Sequence, residues 1–356
     1  MESRHEGALL RALAQVAPGS PLRTGLDRIL LSGRGALIVI GDGPEVLNIC
    51  SGGFLLDAAF TPQRLSELAK MDGAIILAGD ASRIARANVH LVPNPNVQTS
   101  ETGTRHRTAE RVARSLNIPT VAVSESRKEI QVYLGDRVHP LSSPSRLLER
   151  SNQAIQTLER YRARLDSVTQ RLSALEIEDL VTLRNVVEVL QRAEMVVRIA
   201  VELERNLVEL GSDGRLVGLQ TEELMVGVED DRRLLLRDYL LTRPGYGVDD
   251  AMEALADLDD EALFDDAALA RVLGHDDPAE GLEINVEPRG YRLLSTLPRV
   301  NEEVVGAVIS QFGSLGKVLR ASASDLEAVD GMTPARARAL TEGAARLSKT
   351  WILGRS

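Results

Sequence analysis

The chain has 356 residues, with 42 Lys and Arg against 52 Asp and Glu, a formal charge of −10. With 44% hydrophobic and 26% charged residues, it has the composition of a folded protein long enough for two or three domains, and disorder as the default state is excluded. A single cysteine, Cys50, excludes an internal disulfide and a cysteine-rich zinc site, and no apolar run reaches the roughly 20 residues that span a bilayer. The expectation is therefore a soluble cytoplasmic chain with no membrane partner.

In chain order, Ala36-Leu-Ile-Val-Ile40 is an apolar run closed by Gly41-Asp42-Gly43, and Val46–Cys50 follows at hairpin distance, which predicts two paired strands. Ser32-Gly33-Arg34-Gly35 and Ser51-Gly52-Gly53 read as structural glycine turns. Thr61-Pro62 supplies an N-cap and an N1 proline for a helix through Leu65, Leu68 and Ala69, after which Gly73-Ala-Ile-Ile-Leu77 resumes as a buried strand. A helix is predicted from Thr102–Thr108 to about Leu116, followed by the strands Thr120–Val123 and Ile130–Leu134. Strands alternating with single helices predict a sheet covered by helices over residues 1–142.

Ser142-Ser-Pro-Ser145 marks a boundary, beyond which some seventy residues carry one proline-free helical pattern ending at Gly211-Ser-Asp-Gly214. Leu158, Leu165 and Leu172 recur at intervals of seven, with Tyr161, Val168 and Leu175 offset by three, a seam that predicts a packed helical spine over 143–287. Residues 249–287 hold 14 acidic side chains and one basic one, whereas Tyr291–Ser356 hold 9 basic and 6 acidic, so 288–356 is a separate electrostatic object. Two turns there, Leu297-Pro-Arg-Val300 and Val329-Asp-Gly-Met332, each feed a helix N-terminus, where unpaired amides can hold a phosphate. That arrangement resembles a tandem helix-hairpin-helix module, a binder of the DNA backbone. Arg299, Lys317, Arg320, Gly331, Arg336 and Arg338 are its candidate DNA contacts, through sequence-independent phosphate binding.

Two segments of the first domain carry candidate chemistry. Asp72 precedes the strand Ala74–Leu77, where a carboxylate can reach a metal and Gly73 leaves space for a ligand. Gly103-Thr-Arg-His-Arg-Thr-Ala-Glu-Arg111 sets Arg105, His106 and Arg107 between two threonine hydroxyls at a predicted helix start. Cations there oppose the helix dipole at a cost of about 0.3–1 kcal/mol each unless an anion is bound. Guanidinium groups, hydroxyls and helix amides together make a phosphate cradle. A solvated basic turn answering Glu101 and Glu110 is the plainer reading. No GxxxxGK[ST] loop is present, and His5, His90, His139 and His275 lack metal-ligand spacing.

Asp72-Gly73-Ala74 followed by Gly103–Arg111 resembles the paired DGA and RHR signatures of diadenylate cyclase domains. With the spine and the hairpins behind them, the whole chain resembles the DNA-integrity-scanning members of that family. The resemblance implies an α/β cyclase domain (a mixed sheet flanked by helices), an all-α linker and a C-terminal helix-hairpin-helix DNA-binding domain. It implies condensation of two ATP into cyclic di-AMP and pyrophosphate, with Mg²⁺ or Mn²⁺, by a nucleoid-associated homo-octamer whose cyclase domains meet face to face. On this resemblance Asp72 binds the metal, Gly73 and Leu91 line the nucleotide pocket, and Thr104, Arg105, His106, Arg107 and Thr108 hold the phosphates. Ser124 matches the family position near the α-phosphate. Coupling of synthesis to branched or damaged DNA is the accompanying expectation. The alternative is a non-catalytic nucleotide-binding DNA-damage sensor; a nuclease-linked repair subunit fits less well, since no carboxylate cluster suited to two metals is evident.

Overall fold

The structure, a computed structural model, describes residues 2–275, 281–298 and 300–353. The chain divides into two compact units, Met1–Ala154 with Glu202–Gln220, and Ile155–Val201 with Thr221–Ser356.

The first unit contains helices α1 (Glu2–Gln15) and α2 (Pro21–Leu31), strand β1 (Ala36–Ile40), the short helix α3 (Pro44–Asn48), strands β2 (Cys50–Ser51) and β3 (Phe54–Ala59), helix α4 (Pro62–Leu68), strands β4 (Ala74–Leu77) and β5 (Arg83–Leu91), helix α5 (Thr104–Leu116), and strands β6 (Thr120–Ser124), β7 (Glu129–Leu134) and β8 (Arg137–Pro140). The strands form a mixed sheet in the order β2-β5-β4-β1-β6-β7-β8, with β3 also paired to β5. Only β1 and β4 run parallel; every other pairing is antiparallel.

Both faces of the central strands are buried, which is why they read as continuous apolar runs. Ile38, Ile75, Val121 and Val132 pack with Leu13, Leu26, Ile29 and Leu65 of α1, α2 and α4 on one face. Leu37, Ile76, Ala122 and Tyr133 pack with Ala109, Val112 and Ala113 of α5 on the other. Helix α4 starts as the sequence predicts, with Thr61 Oγ1 accepting from the Arg64 amide at 3.1 Å and Pro62 in the first turn.

The predicted pair of strands at 36–40 and 46–50 is corrected. Val46–Asn48 lies in α3, which begins at Pro44, and β1 pairs instead with β4 and β6. A proline that fixes φ and lacks an N–H suits the first turn of a helix and cannot extend a hairpin ladder. Cys50 stands half-buried in β2 and its thiol donates to the Val46 carbonyl.

Long helices α6 (Pro144–Glu178) and α7 (Leu183–Leu210) follow, then a 3₁₀ turn (Gly211–Gly214), α8 (Arg215–Met225), α9 (Val228–Tyr239), α10 (Val248–Ala256), α11 (Asp260–Leu263) and α12 (Asp266–Val272). The chain closes with α13 (Tyr291–Ser295), α14 (Glu302–Phe312), α15 (Leu315–Arg320), α16 (Ala323–Glu327) and α17 (Pro334–Leu353). Leu158, Leu165 and Leu172 of the heptad seam are buried.

The second unit also buries a charged network. Arg292 pairs with Glu176, which also accepts from the Tyr239 hydroxyl at 2.7 Å, and Arg232 pairs with Glu194. Asp238, at the end of α9, accepts from the amides of Gly290, Tyr291 and Arg292 at 2.7, 2.6 and 3.0 Å and so caps α13. Arg289 returns the favour by donating to the carbonyls of Arg237, Asp238 and Leu240 at 2.9, 3.1 and 2.8 Å. Each helix end thus satisfies the orphaned backbone groups of the other. Among the described residues no helix is long and apolar enough to cross a membrane.

Candidate nucleotide site

Helix α5 begins directly above the C-terminal end of β6, and that junction makes an open cleft of about 770 Å³ lined by Asp72, Gly103, Thr104, Arg105, His106, Val123, Ser124, Glu125 and Ser126. Gly103 occupies the N-cap and has no side chain with which to cap the first amides of the thirteen-residue α5, whose first turn carries no acid. Free amides, a dipole end and basic side chains therefore face one opening, a combination that favours an anion.

Asp72 lies just before β4 with its side chain 95% exposed, and Arg105 Nη2 donates to its Oδ1 at 3.0 Å. The carboxylate and the basic cluster, far apart in sequence, share one rim. Gly73 is needed for a close approach: a Cβ there would lie 2.6 Å from the Asn88 backbone on β5. Gly35, read from sequence as part of a structural turn, also serves this rim, because a Cβ would come within 2.6 Å of Arg105 Nη1.

His106 points inward. Its ring is buried and its Nδ1 lies 2.8 Å from the Tyr133 hydroxyl. Burial, aided by the charge of Arg127, pushes its pKa below the usual histidine value, so at neutral pH it brings hydrogen bonding rather than charge. Ser124 Oγ accepts from the Arg127 amide at 3.2 Å and shapes the turn after β6.

The remaining candidates sit elsewhere. Arg107 is exposed and Thr108 Oγ1 donates to the Thr104 carbonyl at 2.9 Å; neither lines the cleft. Leu91 is buried in the core beside Val89 and Val46. On the C-terminal helices Lys317 and Arg320 are exposed in the last turn of α15, and Arg338 is exposed on α17. Gly331, with φ of 73°, lies in the turn before α17, where Arg336 Nη1 donates to its carbonyl at 3.2 Å. Arg299 lies outside the described residues.

Sequence reasoning missed the groups behind the rim. Glu110 does not answer the basic turn: buried, it accepts from Thr99 Oγ1 and from the Ser100 amide at 3.1 Å and pairs with Arg114. Burial alone would raise its pKa, but those hydrogen bonds and the arginine outweigh it and hold the carboxyl below its usual range. Arg111 and Arg114 donate to the carbonyls of Val97 and Gln98 at 3.0 and 2.6 Å. Together these contacts fasten segment 97–101, and hence Glu101, to α5. Glu101 in turn faces Tyr133 at 2.9 Å and Arg127 at 3.3 Å.

Asp72 and Glu125 are the carboxylates that line the cleft, and among the described residues no group of three or more His, Cys, Asp or Glu could hold a metal. Such a rim fits a hard cation that arrives with phosphate oxygens as its other ligands, not a resident cage.

A nucleotide-binding region followed by a linker region is what comparison with known families finds. The family profile described as DisA bacterial checkpoint controller nucleotide-binding matches residues 23–138, and that of the DisA bacterial checkpoint controller linker region matches residues 141–282. The nucleotide-binding match identifies a diadenylate cyclase domain, an enzyme domain.

DNA integrity scanning protein DisA of Frankia alni is 51% identical over 346 residues, covering 96% of each chain. That of Kineococcus radiotolerans is 51% identical, covering 98% of this chain and 97% of its own, and that of Streptomyces coelicolor is 47% identical, covering 98% and 94%. The chain belongs to the DisA family.

Proposed function

We propose that this chain condenses two ATP molecules into cyclic di-AMP with release of two pyrophosphates, and that its C-terminal helices bind DNA. The observation that carries the reading is the convergence of Asp72, Arg105 and the uncapped start of α5 on one cleft.

The reaction requires the 3′-hydroxyl of each ATP to attack the α-phosphorus of the other in line with departing pyrophosphate. A two-fold interface between cyclase domains gives that reciprocal geometry, and orientation supplies much of the rate. The cleft opens to solvent, as a half-site of this kind must. Thr104, Arg105 and the α5 amides hold the triphosphate; Arg107 and Thr108, off the cleft wall, act at its outer end. Ser124 orients the α-phosphate region, and Gly73 and Leu91 shape the floor from behind. Asp72 would hold Mg²⁺ or Mn²⁺, which when bound supplies positive charge to the triphosphate. Arg105 must then exchange Asp72 for phosphate, which the exposure of the pair permits.

The helices after residue 288 act as a helix-hairpin-helix module, with Lys317, Arg320, Arg336 and Arg338 meeting DNA phosphates and Gly331 allowing close backbone approach. The relatives named DNA integrity scanning proteins favour a branched or damaged duplex as the ligand. Assembly as an octamer near the nucleoid, with the 1–142, 143–287 and 288–356 segments as cyclase, linker and DNA module, completes the proposal.

Mass identification of the products after incubation with ATP and either metal tests the reading. Asp72→Asn should abolish turnover while nucleotide binding persists, and unchanged turnover would remove Asp72 from the chemistry; a wild type that binds ATP but forms no cyclic product would leave a nucleotide-sensing role instead. DNA affinity of the full chain should fall with added salt and with Lys317→Ala or Arg338→Ala.

A further inference from the structure

Behind the cleft lies a hydrogen-bond chain that the proposed chemistry has not used. His106 Nδ1 is 2.8 Å from the Tyr133 hydroxyl oxygen, and that oxygen is 2.9 Å from Glu101 Oε1 and 2.5 Å from Gln131 Oε1. Glu101 is held in turn by Arg127 Nη2, and Gln131 by its own donation to Glu129 at 3.2 Å, which fixes the Gln131 carbonyl toward the phenol.

The phenol has one proton. Burial first, and then the Glu101 hydrogen bond and charge, push the Tyr133 pKa well above its usual value, so that proton stays on the ring oxygen. Two oxygen acceptors, Glu101 and Gln131, compete for it, and neither has a hydrogen to give back. None is left for His106. The close His106–Tyr133 contact is attractive only if Nδ1 carries the hydrogen and donates it to the phenol oxygen. A neutral imidazole has one N–H, so Nε2 is then a bare lone pair. His106 lines the cleft, and the Gln131 side chain, hydrogen-bonded to the same imidazole, draws the ring hydrogen as well.

Resting on the cyclase reading, we propose that Tyr133 is a positioning residue: together with Glu101 it locks His106 in the Nδ1–H tautomer, so that Nε2 faces the nucleotide as an acceptor for a ribose hydroxyl. This separates His106 from its two arginine neighbours. They donate to phosphate; the imidazole receives from sugar.

The test begins with the full wild-type chain labelled with ¹⁵N-histidine. Its five histidines allow His106 to be assigned in solid-state ¹⁵N spectra by difference from His106→Gln. Hydrogen on Nδ1 and none on Nε2 is expected, and hydrogen on Nε2 would overturn the proposal without reference to any activity. Tyr133→Phe should yield a mixture of tautomers and lower kcat/KM for ATP by about 10- to 100-fold, with weaker ATP binding as part of that loss, the usual scale for losing the group that orients a functional histidine. An unchanged tautomer, or an unchanged kcat/KM, would count against it. Equilibrium binding of ATP, 2′-deoxy-ATP and 3′-deoxy-ATP identifies the hydroxyl. The analogue lacking it should bind more weakly than ATP to the wild type and no more weakly than ATP to His106→Ala. If neither hydroxyl matters, the assignment to ribose fails. A wild type that yields no cyclic product would defeat the cyclase reading and leave the tautomer result standing.

Discussion

The two units use the same ion-pair chemistry in opposite ways. At the cleft, Asp72 and Arg105 meet with side chains 95% and 43% exposed, whereas Arg292 and Glu176 in the helical unit meet at 6% and 1%. An exposed pair gains little from its contact and can exchange partners readily; a buried one is costly to separate and fixes geometry. Exposure therefore sorts charges that can receive a ligand from charges that hold helices together.

The most severe way to break this contrast is Arg292→Met. It strands the buried Glu176 carboxylate, and denaturant melts should show a loss of about 3–5 kcal/mol, confined to the helical unit. Gly73→Ala comes next: its Cβ must displace the Asn88 backbone, and a loss of about 1–3 kcal/mol should accompany weaker nucleotide binding, measured by titration.

A pH series sharpens the comparison without mutation. Burial pushes Glu176 up from 4.5 to about 7 despite Arg292. The folded helical unit therefore holds a proton that the unfolded chain has released, and this group lowers stability as pH rises from about 4.5 through 7. His106, lowered from 6.5 by burial and Arg127, acts in the other sense: the folded cyclase unit resists its protonation, so stability falls as pH drops below about 6.5. Differential scanning calorimetry between pH 5 and 7 should show the two transitions moving in opposite directions, and Glu176→Gln should flatten one of them. The smallest effect on stability belongs to Asp72→Asn, about 0–1 kcal/mol for so exposed a pair, although cyclic di-AMP synthesis should disappear.

What could be read from the sequence followed from how each element is buried. Strands β1, β4 and β6 are covered on both faces and announce themselves as apolar runs, and α4 carries its own cap and proline. Strand β3 could not be seen, because Phe54, Leu55 and Leu56 are exposed and Asp57 interrupts its pairing with β5. Strand β5 hides for a related reason: Arg83, Arg86, Asn88 and His90 break its hydrophobic pattern, and its register with β4 shifts twice. At the cleft, Asp72 and Thr104–His106 were legible because their residue types are unusual for those places. Glu101, Gln131 and Tyr133 were not, since a carboxylate before a helix and a tyrosine in a strand are ordinary until the sheet brings them to one imidazole.

The exchange of caps between α9 and α13 has a consequence for how this chain can be shortened. Asp238 is 2% exposed and spends both oxygens on the amides of residues 290–292. A stop codon between Glu287 and Arg289 would leave that buried acid without the amides it caps, and would bare the carbonyls that Arg289 now covers. Fragments ending there should therefore aggregate or be degraded rather than persist as a tidy half.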